Sequence, residues 1–364
     1  MRGLLPLPRA RGWGARPLTR PPRIGLACPA PEPPGGLIEL AHGGGGLLTR
    51  RLIDDLFRPA FGQRPDDLTH DGAVLDIAGA KLAFTTDAFV VRPLFFPGGD
   101  IGSLAVNGAV NDLAMCGAEP LYLSVGFILE EGFAIDDLKR VVHSMKTAAA
   151  QTGAQLVTGD TKVVERGRGD GLFVNTSGVG RIVAPQPIAP RRVRPGDAVI
   201  VSGDIGRHGV AVMAVREDLD FETTIVSDCA PLWTPVRDLL RAGVDIHCLR
   251  DLTRGGLATA LIEIARDGEA SIVLDERAIP VSDPVRGACE ILGLDPLYVA
   301  NEGRFVALVP DEAAEAALAV LSAHRDAARI GRVEAGAGGD VTLRTIGGRR
   351  PLDLLTGDQL PRIC

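Results

Sequence analysis

From Ile38 onward, strand-like and helix-like segments alternate along the chain, and one stretch rich in proline and arginine, Ala184–Pro195, interrupts them. Short β-branched and apolar runs read as strands at Lys81–Thr86, Leu121–Leu129, Gln155–Thr158, Leu172–Val179, Ala198–Ser202 and Phe305–Val309. Helices are expected at Leu48–Phe57, Ile101–Gly117, Ile135–Gln151, after Arg207, at Leu257–Asp267 and at Asp311–His324. In Ile135–Gln151, the residues Leu138, Val141, Val142, Met145, Ala148 and Ala149 keep helical spacing. The chain therefore reads as two α/β domains of the α+β type, 37–185 and 186–345, followed by a mobile tail over 346–364. With 364 residues it is long enough for both.

Residues 1–36 hold nine of the 26 prolines and no periodic apolar pattern, so a disordered extension is expected there. Six arginines and one acid invite comparison with a transit peptide, but prolines at 6, 8, 17, 21 and 22 break any amphipathic helix. An appended tail or a start assigned too early fits better. The net charge of −7 hides a more acidic remainder and argues against nucleic acid as a partner. No run approaches the roughly 18 apolar residues of a membrane span. Six cysteines, at 28, 116, 229, 248, 289 and 364, form no CxxC pair, and a reducing cytoplasm is the expected compartment. Cys116 and Cys289 read as buried free thiols.

Acids recur where strands end, the place α/β sheets use for ligands. Asp71 precedes a short strand, Asp87 ends KLAFTT, Asp160 and Lys162 end LVTG, and Asp251 precedes the Gly255-Gly256 helix start. Such carboxylates suit Mg2+, which takes hard oxygen ligands beside phosphate. Any one of them could equally be a turn residue or helix cap. His42, Gly43, Gly44, Gly45 and Gly46 open the ordered region, either as a phosphate-approaching loop or as a flexible surface loop. Asn107 and Asn111 are i, i+4 neighbours with Asp112 adjacent, and the amides are either structural or a site face. Glu302, in Asn301-Glu302-Gly303-Arg304, is by itself an ordinary turn glutamate.

The final residue, Cys364, is a thiol where chain ends are usually mobile. The eight residues from Gly357 could extend roughly 27 Å, enough to carry the sulfur from a partner back into a cleft.

Taken in order, AHGGGG, TTDAFVVRPLFFPGGDIGSLAVNGAVNDLAMCGA, LVTGDTKVVERG, GDIGRHG, SDCAPLW, RDLTRGGLATAL, NEGRFVA and the terminal PRIC closely resemble the HypE family of carbamoyl dehydratases in nickel–iron hydrogenase maturation. The resemblance runs from about Ile38 to Cys364. It implies the aminoimidazole ribonucleotide synthetase-like ATP-binding fold, a homodimer, and ATP with Mg2+ between acidic loops. It further implies that Cys364 receives a carbamoyl group from HypF, that the S-carboxamide is dehydrated to a thiocyanate, and that the cyano group passes to iron on HypC–HypD. Asp87, Asp112, Asp160 and Asp251 then fall to metal and nucleotide, with Asp71 a further metal candidate. Lys162 falls to the phosphates, and His42 with its glycines to an ATP lid. Asn107 and Asn111 join the nucleotide side, while Lys162 and Glu302 act on the carboxamide. The extension and the fourth glycine of AHGGGG depart from the family pattern.

Phosphorylating the amide oxygen would give an imidate phosphate, which loses phosphate and its nitrogen protons to become a nitrile. Glu302 is the expected base, with burial raising its pKa. Cys364 sits beside the chain's own carboxylate, which exposed Arg362 offsets weakly, so the thiol is expected to need help from HypF. Ile363 is expected to dock in an apolar notch. Two rivals remain: a selenophosphate synthetase-like enzyme, with only Cys28 to offer as its reactive cysteine, and a nucleotide-gated docking scaffold. Cys229 is an alternative nucleophile.

Overall fold

The alternation of segments resolves into two mixed sheets in a computed structural model that describes residues 37–61, 70–219, 225–357 and 359–364. The expected extension, with Cys28, lies outside the described residues.

The first sheet contains β1 (Ala73–Ile77), β2 (Ala80–Phe89), β3 (Ala118–Glu130), β4 (Gln155–Val164) and β5 (Leu172–Ile182), in the order β1-β2-β5-β3-β4. Only β3 and β4 pair in parallel. Helices α1 (Ile101–Met115) and α2 (Ile135–Thr152) cover one face, and period-2 alternation sends Leu123 and Val125 of β3 into it. The opposite face is bare. It exposes Leu75, Ile77, Phe84, Tyr122 and Ile128, and β4 is exposed along nearly its whole length.

The second sheet contains β6 (Ala198–Val201), β7 (Cys248–Asp251), β8 (Ser271–Asp275), β9 (Phe305–Val309), β10 (Ala328–Glu334), β11 (Asp340–Thr345) and β12 (Gly348–Leu352), in the order β12-β11-β8-β10-β6-β9-β7. Both faces are covered, so β6 and β9 are buried at every residue and read as continuous apolar runs. Ala198 and Ile200 face α3 (Arg207–Arg216), α4 (Trp233–Arg241) and α7 (Ala314–Ser322), in a core shared with α1. Val199 and Val201 face α5 (Gly256–Asp267). Helix α6 (Asp283–Leu292) lies between α5 and α7 in sequence.

The expected tail begins later than residue 346, because Gly348–Leu352 continues the sheet by pairing antiparallel with β11. The chain end itself is docked. Leu360 and Ile363 are 3% and 2% exposed, so the apolar notch expected for Ile363 exists. Among the described residues no helix is long and apolar enough to cross a membrane.

Candidate active site

The two domains meet along α1, and the cleft of about 250 Å3 at that seam gathers acids from both. Asp100 caps α1, accepting from Gly102 and Ser103 N–H at 2.7 and 3.0 Å, which fixes the helix start and so its faces. One face turns to β2: Thr85 donates to Asp112 Oδ2 at 2.5 Å. Gly108, one turn earlier, permits this approach, since a Cβ there would meet the Phe89 ring at 2.7 Å. Asp87 at the end of β2, Asp71 ahead of β1 and Asp251 at the end of β7 complete the ring around Asp112.

Asp71, Asp112 and Asp251 each offer an oxygen within 4.8 Å of the others. Packed this closely and away from water, they titrate high. Desolvation first, then like charge, pushes Asp112 and Asp251 well above the carboxylate range. Asp71 rises to about 6 through desolvation, although Arg250 Nε at 2.8 Å opposes the shift. Asp71 Oδ2 is buried with no protein donor. Such a set fits a hard divalent cation.

The same cleft carries Glu302, 3% exposed, with Oε1 unpartnered. Desolvation, followed by Asp251, Asp228 and Asp87, holds its pKa well above the ordinary value, as the sequence led us to expect. Cys364 lines the same cleft. Its neighbouring cation is Arg254, whose pKa is raised chiefly by the negative charge of Cys364. Arg362, expected in that role, pairs with Asp170 instead. Arg254 also donates to the Gly43 carbonyl at 3.0 Å, so one side chain touches lid, acids and chain terminus. Gly45 adopts φ +79° where the lid passes Arg254, a conformation glycine tolerates. Arg50, just beyond, anchors the lid to Asp267 at 3.0 Å.

Several expected site residues sit elsewhere. Asn111 is structural: its Oδ1 accepts from Leu232 N–H at 2.7 Å and its Nδ2 donates to the Ala230 carbonyl at 3.2 Å, tying α1 to the second domain. Asn107 donates to Cys229 Sγ at 3.5 Å and leaves Oδ1 buried and unpartnered. His42 accepts from Glu39 N–H at 3.0 Å and does not line the cleft, and of the glycines Gly45 alone lines it. Gly44 borders a small adjoining cavity, while Gly43 contributes only its carbonyl. Asp160 and Lys162 pair with one another at 2.9 Å on β4, each side chain 71% exposed and outside the cleft, because β4 is the sheet's free edge. Cys229 is a poor nucleophile, its thiol pushed up to about 12 by desolvation. Cys116 and Cys289 are buried and free, as expected.

Arg250 and Arg254 were missed, although RDLTRGG spelled them out. Asp228 was missed as well. It is buried at 3% exposure and accepts from Glu302 N–H at 3.2 Å and from Gly303 N–H at 3.0 Å.

Residues 69–182 and 194–344 match the N-terminal and C-terminal domains of the AIR synthase related protein family. The carbamoyl dehydratase HypE of Azotobacter vinelandii is 50% identical over 333 residues, 90% of this chain and 98% of that protein. A crystal structure of a HypE–HypF complex superposes with a TM-score of 0.79 at 45% identity, covering 84% of this chain and 99% of the other. A structure of the hydrogenase maturation protein HypE in complex with ATP gives 0.75 at 48% identity, covering 90% and 100%.

Proposed function

This chain belongs to the carbamoyl dehydratase HypE family, and from that premise we propose that its cleft dehydrates an S-carboxamide on Cys364 to a thiocyanate with ATP, for hydrogenase maturation. The observation that carries this reading is the presence of Cys364 in the same cleft as Glu302 and the carboxylate ring. A scaffold whose tail merely docks has no need of a buried carboxylate with an unpartnered oxygen in the same cleft as its own terminal thiol. The selenophosphate synthetase-like reading loses for a related reason: the reactive sulfur in the cleft belongs to the last residue.

The amide oxygen attacks the terminal phosphoryl group of ATP and ADP leaves, giving an imidate phosphate. Phosphate then departs with its oxygen as the nitrogen gives up its protons, and S–C≡N remains. Glu302 takes one of the two protons, since its Oε1 has no other partner, and the departing phosphate carries off the other. Arg254 offsets charge beside the reacting carbon and holds the lid through Gly43. Asp71, Asp112 and Asp251, with Asp87 beside them, would hold Mg2+, which supplies charge neutralisation for the phosphates.

Asp160 and Lys162 reach a cleft through a second copy of the chain. The bare apolar face of the first sheet and the open edge of β4 call for a homodimer, and β4 carries both residues. HypF loads the thiol, as the HypE–HypF complex suggests, and the cyano group goes on to iron on HypC–HypD. Work with these partners fits a cytoplasmic protein.

Incubation with HypF, carbamoyl phosphate and ATP, followed by mass analysis of the C-terminal peptide, tests the reading. A carboxamide adduct that loses the mass of water only when ATP is present supports it. A Cys364→Ser protein that still supports cyanide delivery overturns it.

A further inference from the structure

All four main-chain carbonyl positions of Pro361-Arg362-Ile363-Cys364 are held by donors. Arg216 donates Nη1 to the Pro361 carbonyl at 2.7 Å and Nη2 to that of Arg362 at 2.5 Å. Arg92 N–H donates to the Arg362 carbonyl at 3.2 Å, and Val90 N–H to Cys364 O at 3.2 Å. His208 lies 2.8 Å from the Ile363 carbonyl through Nε2. A carbonyl can only accept, so Nε2 carries the proton and Nδ1 accepts from Ser227 Oγ at 2.9 Å. His208 is fully buried, and the Phe96 ring stands edge-on against it at 5.3 Å. Arg362 is held at φ +59°, a region that non-glycine residues rarely enter, and its side chain is paired with Asp170.

These contacts belong to one position of the tail. The thiol cannot meet a loading partner while seated beside Glu302, and it cannot react there without being seated. We propose that His208 and Arg216 are positioning residues for dehydration alone, holding the last four residues so that the carboxamide faces Glu302 and taking no part in loading the thiol. Both act through the tail backbone, so neither touches the reacting atoms.

This inference rests on the dehydratase reading, and the test separates the two. Potassium cyanate carbamoylates Cys364 without HypF, isocyanic acid adding across the S–H bond to give the S-carboxamide. With the protein so loaded, thiocyanate formation after one addition of ATP and Mg2+ is followed on the C-terminal peptide. In parallel, HypF-dependent loading is read as the sum of carboxamide and thiocyanate adducts. Alkylation of Cys364 by iodoacetamide reports how often the tail leaves its seat. We expect His208→Ala and Arg216→Ala to slow dehydration at least tenfold, to speed alkylation several-fold and to leave loading no slower. His208→Gln, which can still donate to the Ile363 carbonyl, recovers most of the dehydration rate. Dehydration at the wild-type rate in both alanine variants overturns the inference, as does a proportional fall of loading and dehydration. Wild-type protein that yields no thiocyanate defeats the dehydratase reading instead, and the alkylation rates still decide whether these two residues hold the tail.

Discussion

Asp228 holds Glu302 by its backbone: one carboxylate oxygen accepts the Glu302 N–H at 3.2 Å and also the N–H of the residue after it, at 3.0 Å. The candidate base is thus fixed from behind by an acid on another segment, which also approaches Arg304 at 3.7 Å. Asp228→Ala leaves two buried N–H groups short of an acceptor, while Arg304 keeps Asp204 and the Gly303 carbonyl. A loss of stability of about 1–3 kcal/mol per orphaned group is expected, with dehydration falling more steeply than ATP binding. Asp228→Asn keeps an acceptor oxygen and is expected to retain most of both. Urea denaturation and single-turnover rates on the three proteins check this, and equal damage from Asn and Ala would refute the backbone role.

Glu302 works as a base only when ionised, and its pKa lies well above the ordinary carboxylate range because desolvation and three neighbouring acids penalise its charge. Dehydration of preloaded protein is therefore expected to rise with pH through that raised pKa and to fall steadily on the acid side. Glu302→Gln is expected to lower the rate at least a hundredfold, within the range of lost general-base catalysis, and to remove the acid limb. Rates measured between pH 5.5 and 9 decide this. A wild-type profile flat across that range would exclude Glu302 as the titrating base.

The carboxylate ring has a cost in stability whose sign is fixed by its shifts. Asp71, at about 6, and Asp112 and Asp251, both raised well above the ordinary carboxylate value, bind protons more tightly folded than unfolded. Their contribution is present below pH 4 and is lost as pH rises through the folded values. Protein in EDTA is expected to melt at falling temperature from pH 5 to pH 8. Millimolar Mg2+ should raise the melting temperature more at pH 8 than at pH 5, since only ionised acids bind it. Asp112→Asn should stabilise the EDTA form at pH 8 and shrink the Mg2+ effect. An equal Mg2+ gain at both pH values would mean that the cation binds elsewhere.

Much of this was legible in sequence because it was local. The strands at Ala198–Ser202 and Phe305–Val309 are buried on both faces and so appear as uninterrupted apolar runs. The acids were found because strand ends mark ligand loops. Partnership was illegible: Asn107 and Asn111 share a pattern, yet one spends its amide across the domain seam and the other keeps a buried oxygen open. Arg362 looked like the cation for Cys364 because it stands two residues away, whereas Arg254 arrives from more than a hundred residues earlier. The tail looked mobile from Gly357 and Pro361. Its carbonyls are in fact gripped by His208 and Arg216, which no local pattern could announce. The short strand of 271–275 was missed because it gains its stability from neighbours distant in sequence.

Lys162 is the residue whose role most needs a second chain. Its side chain is 71% exposed on the free edge of the first sheet, away from the cleft that holds Glu302. If dimerisation through the bare face brings it to the other subunit's cleft, each working site draws Glu302 from one subunit and Lys162 from its partner. Lys162→Ala and Glu302→Gln are then each inactive alone. After mixing and subunit exchange, half of the dimers are mixed, and each of those holds one site with both residues intact. About a quarter of wild-type dehydration is expected to return, a fraction set by random pairing of two-site dimers. Tyr122→Glu combined with Ile128→Glu, on the neighbouring strand and the same face as Lys162, should give monomers by sedimentation and abolish the recovery. Mixtures that stay inactive despite proven exchange would place Lys162 on the same chain as the Glu302 it serves.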